Sequence, residues 1–361
     1  MHRFPLRKLT IEKRVAVTLA AADNTEMKTA LLSGVLLCSA VVLAGDHALA
    51  AKTAPGQLKI ATWNLEWLIA PEQLRKLKAS CVPRNESPGR RERFIPCDVA
   101  TDHERSRQDF SALARYARKL DADVIALQEV NGATAARRVF EGYAFCFTAR
   151  GHVQNTGFAI RRGIPHRCGA DLEPLALGGR VRRGAELILF PGEPHEIRLL
   201  SVHLKSGCGR RTLDSGRDQC TVLAQQVPLL ERWIDAQAAA GRRFAVLGDF
   251  NRDLLADTGP ARSEAGAQRS LWAEIDDGDP IEADLTNAAE GERFVNCAPS
   301  QNFGGYIDHI VLSRSLAAVR VPGSFSRVVW DAAEAQRLKL ADHCPVAISL
   351  QMDAPRSDAP R

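Results

Sequence analysis

Phe244-Ala245-Val246-Leu247-Gly248-Asp249-Phe250-Asn251 is an apolar run that stops abruptly at polar residues. Consecutive apolar residues without alternation read as a strand buried on both faces. Asp249 and Asn251 lie two apart on extended chain, so both side chains point to one side. The same pattern recurs outward from this stretch. Leu58-Lys59-Ile60-Ala61-Thr62-Trp63, which alternates polar and apolar, ends at Asn64, and the nearly continuous apolar run Asp123-Val124-Ile125-Ala126-Leu127 ends at Gln128-Glu129. Ile197 to Leu204 contains His203 and meets Lys205; Ile307 to Leu312 carries Asp308 and His309; Ala341-Asp342-His343 precedes a last run, Pro345 to Leu350. Gly157 to Ile160 and Ala185 to Phe190 are further strand candidates. A rigid sheet holds its strand ends in fixed positions, where a chemical constellation needs to be.

Helices are interspersed. Phe110, Leu113, Ala114, Ala117 and Leu120 recur at helical spacing, as do Leu223, Val227, Leu230 and Ile234. Pro228 interrupts the second stripe and predicts a kink or a helix start there. Ala79 to His103, rich in charge, Pro and Cys, reads as a surface insertion, and Leu254 to Gly266 as a loop. Strand patterns continue on both sides of each, so neither is a domain linker. The expectation is one α/β domain over residues 56–352, with residues 353–361 as a flexible tail.

Composition sets bounds. Of 361 residues, 45% are hydrophobic and 25% charged, which excludes a disordered, collagenous or polytopic membrane chain. Aromatics at 6% argue against broad stacking platforms for single strands. A net charge of +5, from 48 basic and 43 acidic residues, neither demands nor excludes a polyanionic partner.

Lys28, the apolar run Ala30 to Ala44, and Ala48-Leu49-Ala50 read as a secretory signal peptide starting at Met27 and cut after Ala50. The run is short of the ~20 apolar residues of a membrane span; an uncleaved anchor helix is the alternative. Residues 1–50 are therefore set aside as an extension and leader. Of nine cysteines, Cys38 leaves with the leader. The remaining even number suits disulfides in an oxidising compartment, secreted or periplasmic. Eight cysteines allow 105 pairings; near neighbours favour Cys81–Cys97, Cys146–Cys168 and Cys208–Cys220, leaving Cys297–Cys344. The absence of any CxxC spacing argues against zinc.

The six polar strand ends, in this order between Lys59 and Leu350, resemble the endonuclease/exonuclease/phosphatase superfamily with the deoxyribonuclease I-like fold. The resemblance implies a four-layer α/β sandwich of two packed β-sheets flanked by helices. It also implies hydrolysis of phosphate esters with a divalent metal: magnesium, with manganese or calcium as substitutes. Carried over residue by residue, it assigns Asn64 and Glu129 to the metal, with Asp342 as a further ligand or supporting carboxylate. Asp249 orients or deprotonates the attacking water, and Asn251 donates to a phosphate oxygen. His343 pairs with Asp308, which fixes its tautomer. His203 stabilises the phosphate or protonates the leaving oxygen, and His309 is a structural hydrogen-bonder.

His203 points away from the abasic-site repair branch, which lacks that histidine. Export excludes chromosomal repair, and no aromatic-rich hairpin for lipid contact is found. The loop after His203 is basic, with Lys205, Arg210 and Arg211 placed to meet a phosphate backbone. The other arginine pairs, Arg182-Arg183 among them, read as solvated faces, and Trp63 and Trp67 as core aromatics. The leading expectation is an exported, monomeric nuclease acting on DNA with little sequence preference and without stable membrane association. A secreted phosphodiesterase or phosphatase on a phospholipid head group or small phosphate ester is the second reading. A catalytically dead binding module is the third, and the intact acid, histidine and asparagine set argues against it.

Overall fold

Alternate residues of strand β1 (Gln57–Leu68) feed two different cores. Leu58 and Ile60 pack between two sheets, while Ala61, Trp63 and Leu65 pack on the opposite face beneath helices. The computed structural model describes residues 56–83, 95–149, 151–257, 269–280, 283–297, 301 and 303–352. The leader, its cleavage site and the C-terminal tail lie outside the described residues.

The strands in chain order are β1, β2 (Val124–Val130), β3 (Tyr143–Phe147), β4 (Asn155–Arg161), β5 (His166–Cys168), β6 (Ala185–Leu189), β7 (Ile197–His203), β8 (Arg243–Asp249), β9 (Leu285–Asn287), β10 (Asp308–Ser313), β11 (Ser326–Arg327) and β12 (Val346–Gln351). They form two six-stranded sheets, ordered β11-β12-β1-β2-β4-β3 and β5-β6-β7-β8-β10-β9. Helices α1 (Pro71–Lys78) and α2 (Cys97–Asp102) pack together just past the end of β1, α3 (Arg107–Leu120) and α4 (Gly132–Ala136) cover the outer face of the first sheet, and α5 (Asp218–Ala239) covers the second. Every central strand divides its side chains as β1 does. Phe158 and Ile160 of β4, Ala245 and Leu247 of β8, and Ile310 and Leu312 of β10 fill the space between the sheets. Phe244, Val246 and Val311 face α5 instead. Burial on both faces is what makes these strands continuous apolar runs, and it yields the four-layer sandwich expected.

A buried polar chain crosses between the sheets. Thr62 Oγ1 donates to Gln128 Oε1 (3.2 Å), Gln128 Nε2 to Ser201 Oγ (3.1 Å), and Ser201 Oγ to the Leu127 carbonyl (3.2 Å). Because buried polar groups cost free energy unless paired, this chain fixes β1 and β2 against β7. Helix α5 runs through Pro228 without starting there, and α3 is closed by a capping box between Ser106 and Asp109.

Three disulfides form as the near-neighbour spacing favoured: Cys81–Cys97, Cys146–Cys168 and Cys208–Cys220. The fourth pairing is corrected. Cys297 and Cys344 are buried free thiols, and the Cys297 thiol donates to the Asp342 carbonyl at 3.7 Å. No helix among the described residues is long and apolar enough to cross a membrane.

The loop closed by Cys208–Cys220 is fastened by a buried ion pair. Arg252 meets Asp257 through two contacts of 2.6 Å and donates to the Gly209 and Arg211 carbonyls. Arg252→Met should destabilise the protein by about 3–5 kcal/mol, because it strands the Asp257 carboxylate in the interior. Urea unfolding with the disulfides intact measures this; a variant within about 1 kcal/mol of wild type would show that the pair is solvated or dispensable.

Candidate active site

Strand pairing alone brings several polar ends together. His203 of β7 lies beside Asp249 of β8 in parallel register, and Asp308 of β10 lies opposite Asp249 in antiparallel register. Gly248 is required at this crossing, since a Cβ there would sit 2.0 Å from the Val202 carbonyl oxygen. In the other sheet, β1 and β2 are parallel, so Asn64 and Glu129 emerge at the same end. The Asn64 amide spans the two sheets, donating to Asp249 Oδ2 (3.0 Å) and Glu129 Oε1 (3.4 Å).

Asp249 is buried and accepts from the Asn251 backbone N–H (2.7 Å), from Asn64 and from the Asn251 amide. Burial and the neighbouring Asp308 push its carboxyl up to about 7 despite the favourable charge of His343. The two imidazoles flank it: His203 Nε2 at 3.4 Å and His343 Nε2 at 3.9 Å. His343 Nδ1 is 2.7 Å from Asp308 Oδ2. Burial acts to lower its pKa, but Asp308 and Asp249 outweigh that and hold it well above the usual histidine value. The Phe303 ring packs against it with centroids 5.0 Å apart.

A second acidic group lies on the β1 side. Glu129 accepts from the Trp67 backbone N–H at 3.1 Å, and Glu66 accepts from the Asp342 backbone N–H at 3.0 Å. Burial, Asp342 and Glu129 push Glu66 up to about 7, although Arg105 and its own hydrogen bond oppose the rise. Carboxylate oxygens gathered at one edge suit a hard divalent cation. Asp249, Asp308 and His343 also offer ligand atoms within 4.8 Å of one another. In that group His343 Nδ1 is already held by Asp308 at 2.7 Å. Glu66, Glu129 and Asp342 are an all-oxygen alternative, more widely spread than that group. The buried Asp308 Oδ1 has no hydrogen-bond partner among the described residues.

Two expected site residues already make hydrogen bonds within the site. Asn64 was read as a metal ligand, but its amide oxygen accepts from the Glu66 N–H (2.9 Å) and its nitrogen faces the carboxylates. It is a donor that organises them. Asn251 was read as a phosphate donor, but its amide nitrogen is spent on the Leu204 carbonyl and Asp249, both at 3.1 Å. The basic loop also divides. Arg210 is paired with Asp253 at 3.1 Å, while Arg211 is exposed. The Lys205 ammonium is half-buried and donates to the Ser206 carbonyl; burial and Arg182 lower its pKa. His309 is buried between Asn287 and the Arg252 carbonyl, a structural position.

Two residues were missed. Glu66 lies two positions after Asn64 on the same strand, a spacing legible in principle. Arg182 was read as a solvated face. Instead its guanidinium is desolvated, donates to the Leu204 carbonyl at 3.2 Å and is attracted by Glu129 and Asp249. Backbone strain marks the same place: Glu66 (φ 45°), Trp67 (φ 51°), Glu129 (φ 58°) and Asn251 (φ 53°) are all left-handed. Such residues cost of order 1–3 kcal/mol each and cluster where geometry serves function. Those of β1 and β2 coincide with register shifts that end regular pairing and re-aim the side chains.

With this geometry established, comparison with known proteins is informative. Residues 61–343 match the Endonuclease/Exonuclease/phosphatase family. Among solved structures, TDP2 from Caenorhabditis elegans is similar at 14% identity, with 82% of this chain and 75% of that chain covered and a TM-score of 0.50. An AP endonuclease from Archaeoglobus fulgidus is similar at 12% identity, covering 82% of this chain and 100% of that one, also with a TM-score of 0.50. No protein of curated function matches in sequence. At these identities the structural likeness establishes the shared sandwich, and the family match covers nearly all the described domain. The chain belongs to the Endonuclease/Exonuclease/phosphatase family, divalent-metal-dependent hydrolases acting on phosphate ester bonds.

Proposed function

We propose that this protein is an exported phosphodiesterase that hydrolyses DNA with little sequence preference, using magnesium, with manganese or calcium as substitutes. The observation that carries the reading is the convergence of carboxylates from both sheets on two imidazoles beside a desolvated arginine. Glu66, Glu129 and Asp342 would hold the metal, which supplies Lewis-acid polarisation of a phosphate oxygen. Asp249, with a carboxyl near neutral, orients the attacking water and takes its proton. The His343 imidazolium, held by Asp308, offers its Nε2–H to the charge that develops on phosphorus-bound oxygen. His203 stands on the other side of Asp249 as the second donor, toward the leaving oxygen. Arg182 and Lys205 add positive charge where a bound phosphate would lie.

Residues 56–352 are the catalytic domain in this reading, acting as a monomer outside the cytoplasm or in the periplasm. Three disulfides support export. The exposed Arg211 and Arg217 support a nucleic-acid backbone as substrate. Arg210, neutralised by Asp253, leaves the loop less basic than its sequence reads. That pairing favours keeping a small phosphate ester as the second reading.

Plasmid nicking with and without EDTA, beside a panel of sphingomyelin and inositol phosphates, separates the two. EDTA-sensitive nicking of unrelated plasmids is expected; hydrolysis of a panel substrate with no nicking would overturn the DNA reading. His343→Ala should lose about 10²–10⁴-fold in rate with the fold intact, and Asp308→Ala less, because it acts through the ring. Wild-type rates in both would remove the imidazole from the mechanism. Glu129→Gln keeps side-chain volume but removes a charge. Calorimetric magnesium binding should weaken markedly with nicking restored only at high metal; unchanged binding would show that Glu129 is not a ligand.

A further inference from the structure

Helices α1 and α3, with Arg138 from the turn after α4, line a groove with a cavity volume of about 570 Å³. Four arginines line it, Arg75, Arg107, Arg118 and Arg138, against one carboxylate, Glu72. Arg138 is taken up by Glu72 at 2.7 Å and lies over the Phe110 ring. Arg75, Arg107 and Arg118 are exposed and have no ion-pair partner among the described residues. Arg107, Ser111, Ala114 and Arg118 follow one another at i, i+4, i+7 and i+11, a single stripe of α3. The two arginines at its ends are about 16 Å apart along the axis. The small side chains between them leave the floor of the groove open.

We infer that this groove binds a nucleic-acid backbone away from the scissile bond. A single phosphate would meet one guanidinium, whereas a chain of phosphodiesters meets charges spread over this length. The groove is concave and sits between helices, which fits a strand better than a flat lipid surface. Connectivity places its Arg75 and Arg107 end beside the active-site end of the sheet, and Arg118 leads away from it toward the start of β1, where the Leu120 carbonyl accepts from Lys59 Nζ. Helix α1 starts three residues after β1, which carries Asn64 and Glu66, and α4 starts two residues after β2, which carries Glu129. Helix α3 begins two residues after Arg105, whose guanidinium bonds the Leu65 and Trp67 carbonyls. The inference rests on the DNA reading above and extends it: contacts here would position the substrate without reading its sequence.

The test is the salt dependence of binding to a duplex of about 20 base pairs, in a His343→Ala background with magnesium. Each phosphate contact contributes about 0.9 to the slope of log affinity against log salt. Arg75→Ala/Arg107→Ala/Arg118→Ala should make the slope shallower by about 2–3. It should leave kcat/KM on bis(p-nitrophenyl) phosphate unchanged in the otherwise wild-type enzyme. Arg107→Gln/Arg118→Gln provides a second variant, with a slope change of about 2. Arg167→Ala/Arg232→Ala/Arg314→Ala removes the same charge from exposed positions elsewhere and should change the slope by less than about 1. A groove variant indistinguishable from that control overturns the inference while leaving plasmid nicking, and the DNA reading, intact. Weaker binding confined to phosphatidylserine vesicles also overturns it, in favour of a membrane surface. Absence of both nicking and duplex binding overturns the DNA reading itself, and the groove assignment with it.

Discussion

Like-charged carboxylates held out of water at the end of two packed sheets are the constraint on which this structure depends. Two unit charges 4 Å apart interact with about 4 kcal/mol at an effective dielectric of 20, and burial beside acidic neighbours pushes Glu66 and Asp249 up to about 7. The chain meets the problem from several sides. Asn64 donates across the sheets, His343 carries positive charge into the cluster, and Arg182 is desolvated beside Glu129 and Asp249. What these leave uncompensated appears as carboxyls pushed up toward neutrality. In the proposed mechanism a divalent cation held on the Glu66 side would complete the balance and would polarise a phosphate ester. Stability and chemistry therefore make the same demand on the site.

The sandwich holds that arrangement in place. Apolar side chains from both sheets fill the central layer, and the Thr62–Gln128–Ser201 chain prevents one sheet from sliding over the other. A slip of one residue would turn every side chain on a strand to the opposite face, parting Asp249 from Asn64. Left-handed residues at Glu66, Trp67, Glu129 and Asn251 are tolerated because this framework overdetermines them. Past the strand ends, the Cys208–Cys220 loop and its Arg252 fastening hold Arg211 near the same edge.

Much of this was legible in the sequence, for identifiable reasons. Continuous or alternating apolar patterns mark strands buried on one or both faces, so β1, β2, β4, β6, β7, β8, β10 and β12 were readable. Strands β3, β5, β9 and β11 were not. β3 is an edge strand with half-exposed aromatic residues, and β5, β9 and β11 span only two or three residues. Ordered polar strand ends led to His203, Asp249, Asp308 and His343, because sheet registry alone makes them neighbours. Orientation was not legible. Asn64 and Asn251 were located, but which amide atom faces the carboxylates depends on the Glu66 N–H and the Leu204 carbonyl. Arg182 carried no sequence signal, since an arginine pair before a strand is usually solvated; only the fold buries it.

The central claim is that the carboxylates on the β1 side hold a divalent cation beside the two imidazoles. Anomalous diffraction from crystals grown with manganese and a non-hydrolysable phosphodiester tests it most directly. The account predicts an anomalous peak within bonding distance of the Glu66, Glu129 and Asp342 carboxylates. The phosphate should lie between that peak and His343, and within reach of Arg182. A peak on the Asp249, Asp308 and His343 group instead, or a phosphodiester bound with no manganese at the site, would contradict it.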